Sequence, residues 1–272
     1  MRALIRFLLA VALTAAAAAA HAQAVVTEVR GSATMQIGTA NATTIVAGQK
    51  VPPGALLQTG AGSMVVLGFP DRQIVVLGEF AVFRIVDYRF DPAQPGAGQV
   101  HLNLVSGSLR LAVGDIGAAN PGAIRVQIGV ATMGVLPSES RRTDASAVVV
   151  NGPLSVVVQE GRAVVIMPNG QSQGIDSGQG AVVGVDGNMR QGTVAQMAEL
   201  AGNSPTGREM VRQLAALQGA TPAMQQTVIV LATVFGPGAE EEPLAAPATN
   251  TSTTSGAAGL GGGGGGNIAS PN

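Results

Sequence analysis

The chain has no cysteine and no tryptophan, a single tyrosine, six phenylalanines and two histidines. Without thiols there is no disulfide framework, no thiolate metal site and no cysteine nucleophile, so stability must come from packing. One histidine, His21, belongs to the leader described below, which leaves His101 alone in "QVHLNLVSG". A histidine-based metal site, an HExxH motif or a Ser-His-Asp triad lacks its partners, and a packed or surface strand role is expected for His101. Charge is also sparse. Fifteen basic residues face 16 acidic ones. Removing Arg2 and Arg6 with the leader leaves 13 against 16, a net of −3. That balance is too weak and too mixed for nucleic acid, which calls for a basic stripe.

Paired carboxylates are the one catalytic set that composition permits. Asp71, Glu79, Asp87, Asp91, Asp115 and Asp176 could supply a glycosidase pair. Sugar clefts usually carry aromatic platforms, and almost no aromatics are present. The turns "GIDSGQG" and "GVDGN" lack the repeated oxygen ligands that calcium requires. "GLGGGGGG" follows no strand and precedes no Lys-Ser/Thr, so it is no phosphate loop. The reading therefore assigns no catalytic residue, no metal site and no cofactor.

What is present begins with "MRALIRFLLAVALTAAAAAAHAQ". Arg2 and Arg6 form a basic start, Phe7 to Ala20 an apolar core, and Ala20-His21-Ala22 a small-x-small site. This pattern predicts a secretory signal peptide over 1–22, cut between Ala22 and Gln23, and a periplasmic or secreted location. The apolar run is shorter than the roughly 20 residues a membrane span needs, and no later segment reaches that length.

From Ala24 to about Asn188, short Val/Leu/Ile segments alternate with Gly, Pro, Asn and Asp: "SMVVLGF", "RQIVVLG", "QVHLNLVSG", "SLRLAVG", "AIRVQIGV", "PLSVVVQEG", "RAVVIMPNG". Branched residues bounded by turn formers predict strands, and the region 23–188 is expected to be all-β, a sandwich or a solenoid of short strands. "EGR" (160–162) and Asn169-Gly170 stand where hairpins would turn. In "VPPGALLQTGAGSMVVLGF", Pro52, Pro53 and Gly54 mark a turn. Gly60 is expected to need a positive φ, and Leu57, Val65 and Leu67 to face the interior, the last two on one face. Asp71 would only terminate the strand.

After Arg190 the texture turns helical, over 189–236. Thr193 with Gln196 makes a capping box, Ser204-Pro205 and Thr221-Pro222 read as N-cap and N1, and Gly219 and Gly236 as C′ residues. Residues 237–272, acidic and Pro/Ser/Thr-rich and then glycine-rich, are expected to be a disordered tail.

The order of these pieces resembles the FecR domain family, a periplasmic all-β module. The resemblance covers roughly residues 44 to 185. It is carried by Gly48, Val51, Gly54, Thr59 and Gly60, then an apolar strand ending at Asp71, "IVVL", "LNLVSGSLRL", "VVVQEGRAVV" and "IDSGQGAVV". Two segments depart from it. Asp71-Arg72 stands where the family often has Asp-Gly, and "MGVLPSESRRTD" where it often has Gly-x-Arg-Gly-Thr. The ferric-citrate regulator that names the family also carries an anti-sigma segment and a membrane helix, and neither pattern is found here. The resemblance thus implies the fold and a general role in envelope protein interaction. The expected function is a non-enzymatic extracytoplasmic binding module for an envelope protein or polymer. A structural cell-surface component, and then a carboxylate-dependent enzyme acting on polysaccharide, are the alternatives.

Overall fold

The computed structural model describes residues 23–184, 187–196, 199 and 204–235. The leader and the glycine-rich tail lie outside the described residues. Hydrogen bonds join seventeen strands into one sheet that folds on itself into two layers.

The first half supplies β1 (Ala24–Arg30), β2 (Ala33–Gln36), β3 (Thr43–Thr44), β4 (Lys50–Val51), β5 (Leu56–Thr59), β6 (Met64–Gly68), β7 (Ile74–Leu77) and β8 (Val82–Arg89). The long β9 (Gln99–Ala112) follows, and then the short helix α1 (Asp115–Ala119). The second half supplies β10 (Ile124–Ile128), β11 (Ala131–Val135), β12 (Asp144–Val149), β13 (Leu154–Glu160), β14 (Arg162–Ile166), β15 (Ser172–Asp176), β16 (Gln179–Val183) and β17 (Met189–Thr193). Helices α2 (Pro205–Gln218) and α3 (Thr221–Phe235) complete it. β17 lies past residue 188, where the sequence reading placed the end of the strands.

One layer runs β4-β1-β6-β7-β9-β12-β13-β16-β17, antiparallel throughout. The other runs β3-β2-β5-β8-β9-β10-β11-β14-β15, antiparallel except for the parallel pair β9–β10. β9 sits at the centre of both. Its first half pairs with β8 and β10, its second with β7 and β12. The sequence reads here as two strands interrupted by glycine, whereas the chain makes one strand that changes layer. Gly107 is the bend: its φ is +81°, and a side chain there would fall on the backbone of Ala81. Only glycine meets both demands cheaply.

The sandwich resolves the choice against a solenoid, because inward residues of both layers form a single core. Leu57, Val65 and Leu67 are fully buried in it, as the alternation predicts. Val66, one residue out of phase, belongs instead to a second cluster beneath the helices.

Turn chemistry bears out some expectations and corrects others. Gly170 (φ +84°) turns the β14–β15 hairpin. "EGR" is no hairpin: Gly161 (φ +79°) marks a corner where the chain leaves β13 in one layer for β14 in the other. Gly54 and Gly62 take positive φ, but Gly60 does not. The nearest neighbour a side chain at Gly60 would meet is the Ser32 hydroxyl, which can rotate away. Thr193 and Gln196 form the expected reciprocal capping box, and Ser204 Oγ accepts from Gly207 N at 2.9 Å. Gly219 keeps a helical φ of −63°, so no left-handed C′ glycine ends α2. Thr221 is itself helical, its hydroxyl donating to the Gln218 carbonyl at 3.0 Å.

Candidate interaction surface

The two layers differ in what covers their outer faces. Central strands of the first layer are buried on both sides: Ile74–Leu77, Asp144–Val149 and Leu154–Val158 are buried at every position. Helices α2 and α3 lie on this face, and Val66, Ile74 and Val76 pack against Leu217, Ala223, Met224 and Leu231. Gly68 gives Leu231 room to approach the sheet. The helices are pinned by Arg110 of β9. Its guanidinium forks onto Asp144, with Nε–Oδ1 2.9 Å and Nη2–Oδ2 2.6 Å. Its Nη1 donates to Thr221 Oγ1 at 2.9 Å and to the Leu217 carbonyl at 3.3 Å. Both charges are nearly inaccessible, so each needs the other. A second tie runs from Arg212 of α2 to Glu79, which also accepts from Gly62 N. An apolar groove of about 410 Å³ remains between α2 and the sheet, lined by Val157, Val182, Val194, Met210 and Leu214.

The carboxylates singled out from sequence are engaged in ion pairs and backbone hydrogen bonds. Glu79, Asp87, Asp115 and Asp176 pair with Arg212, Arg89, Arg72 and Arg162. Asp91 accepts from Ala93 N at 2.9 Å. Asp71 does more than end a strand. It is fully buried, and its Oδ1 accepts from Tyr88 Oη at 2.9 Å and from Gln73 N at 3.3 Å. Its own N–H donates to the Tyr88 oxygen, and its carbonyl accepts from Asp115 N at 2.7 Å. Burial, with a smaller push from Asp115, raises the Asp71 carboxyl to about 6. Burial likewise raises the Tyr88 phenol, whose ring packs at a tilt of 59° against Phe69 with centroids 5.0 Å apart. Asp71 and Asp115 are brought together, but Asp71 has no exposed surface from which to meet a substrate. Arg72, at φ +66°, holds the left-handed position where the resemblance expects glycine, and its side chain pairs with Asp115. Among the described residues, no group of three His, Asp or Glu side chains could hold a metal ion.

The second layer alternates. β10 reads buried-exposed-buried-exposed-buried, with Ile124, Val126 and Ile128 in the core and Arg125 and Gln127 outside. Register carries the outward residues into two rows across the layer. One runs Leu56, Arg84, Asn103, Gln127, Thr132, Ile166. The other runs Asp87, His101, Arg125, Gly134, Val164, Gly174. This face stays open among the described residues, with Arg84, Arg125, Gln127 and Ile166 exposed. His101 falls on it, half-buried between Asp87 and Arg125. The layers end in short edges. β3 and β4 have two residues each. β15 and β17, with five each, are tied by Gln191 Nε2 donating to the Gly174 carbonyl at 2.9 Å.

No protein-family model matches the chain, so the FecR resemblance rests on the order of its motifs. No curated protein matches it in sequence. Two solved structures do align, each described as a "putative anti-sigma factor" from Parabacteroides distasonis. One shares 16% identity at a TM-score of 0.38, the other 19% at 0.39, and each covers 53% of this chain. The chain spans 64% and 63% of those neighbours' length.

Proposed function

We propose that the chain is a non-enzymatic, extracytoplasmic, FecR-like interaction module of the bacterial envelope. The observation that carries this reading is the contrast between the two faces. One is sealed by helices through a buried ion pair, and the other is an uncovered sheet face of mixed polar and apolar residues. Binding needs only such a platform, whereas the carboxylate whose pKa burial raises is enclosed in a turn. Extracytoplasmic placement rests on the basic, apolar and small-residue pattern of residues 1–22. The test is cell fractionation followed by crosslinking capture from the envelope. Release of a shortened chain beginning near Gln23, with reproducible recovery of a partner, is the expected result. A chain retained in the cytoplasm, or no partner across repeated captures, would overturn it.

A further inference from the structure

The open face has a charge that the rest of the chain does not share. Four arginines project from it, Arg84, Arg89, Arg125 and Arg162, against two aspartates, Asp87 and Asp176. Both aspartates are already paired, with Arg89 and Arg162. That leaves two positive charges on this face of a chain whose mature form carries a net of −3. Arg84 and Arg125 are the unmatched pair: both are exposed, and no carboxylate lies opposite either in the register. They stand on strands either side of β9, one pleat step apart, hence on the order of 12 Å between their Cα atoms. Between them sit Asn103 and His101, and beside Arg125 is Gly134, which adds no side chain to this part of the face.

We propose that this face docks an acidic, extended segment of another polypeptide, with its carboxylates on Arg84 and Arg125. The inference rests on the interaction-module reading above and adds the partner's chemistry. Guanidinium forks suit carboxylates, and the amides of Asn103 and Gln127 can both donate to and accept from a backbone. A polypeptide fits better than an acidic polysaccharide. Val86, Val105 and Ile166 are exposed around the arginines and offer contact to apolar side chains, while no Phe, Tyr or Trp presents a platform for sugar on these two rows.

The experiment measures binding of the purified protein to a glutamate–alanine copolymer and to polygalacturonate of matched charge, at low and at physiological salt. The protein should bind the copolymer more tightly than the polygalacturonate, and binding should weaken as salt rises. Arg84→Gln/Arg125→Gln should lose about tenfold or more, because both charge-assisted contacts go. Arg190→Gln, an exposed arginine on β17 of the other layer, is the charge control and should bind as the wild type does. All these sites are exposed, so the melting temperatures should agree and the loss cannot be attributed to unfolding. Tighter binding to polygalacturonate would overturn the polypeptide in favour of a polysaccharide. An equal loss from Arg190→Gln, or none from the double variant, would overturn the face. A partner recovered from the envelope equally by wild type and double variant would sink this inference and leave the module reading standing. Failure to recover any partner would instead count against the module.

Discussion

Asp71 keeps one oxygen on the Tyr88 phenol and leaves Oδ2 without a hydrogen-bond partner, while the fully buried Gln73 amide beside it has neither of its polar atoms bonded. A buried carboxylate with an unpartnered oxygen is costly, and protonation relieves the cost by turning that oxygen into a donor. The folded value near 6 lies above the ordinary 3.8. The stability this group contributes is therefore fully present below about pH 4 and is lost as pH rises through about 6. Thermal melts should show stability rising as pH falls from about 7.5 to 5, opposite to ordinary acid destabilisation. Asp71→Asn copies the neutral form, so it should flatten that slope and gain about 1–3 kcal/mol at neutral pH. Tyr88→Phe removes the partner of both Asp71 Oδ1 and Asp71 N, and should cost about 1–3 kcal/mol at any pH. A wild-type slope unchanged in Asp71→Asn would show that another group sets it.

At the scale of elements, two devices hold the layers and helices in place. The first is the bend in β9. Gly107→Ala meets both a left-handed φ and the Ala81 backbone, and should cost about 3 kcal/mol or more in urea unfolding. A loss below about 1 kcal/mol would mean that β9 does not cross between layers at this residue. The second is the Arg110–Asp144 fork. Arg110→Ala strands a buried carboxylate and frees two contacts to the helical hairpin, so it should cost about 3–5 kcal/mol. Hydrogen exchange should then speed up first in α2 and α3. Arg110→Met/Asp144→Leu removes both charges and should recover most of that loss, because no charge is left unpaired. Equal damage from the double variant would show that the ion pair does not anchor the helices.

For the molecule as a whole, strand content and core phase were legible because both follow from local alternation: Val65 and Leu67 inward, Arg125 and Gln127 outward. The split between a covered and an open layer was also written in the residues. Near-continuous apolar runs such as "IVVL", and "LSVVV" with its single small serine, need cover on both faces, while "IRVQI" needs it on one. The layer change in β9 was hidden, because a glycine inside a strand and a glycine between strands look alike. Arg110 was hidden as well: its partner Asp144 is 34 residues away, and its helical contacts are more than a hundred. Asp71 read as a terminator because burial of a turn residue depends on Tyr88 and α1, which only the fold brings to it. The open layer is the proposed working face. Its most direct test is photo-crosslinking in living cells from a probe at Gln127 on that layer and, separately, at the exposed Ala216 on α2. A discrete envelope protein adduct is expected from Gln127 and none from Ala216. Adducts from Ala216 alone would contradict it.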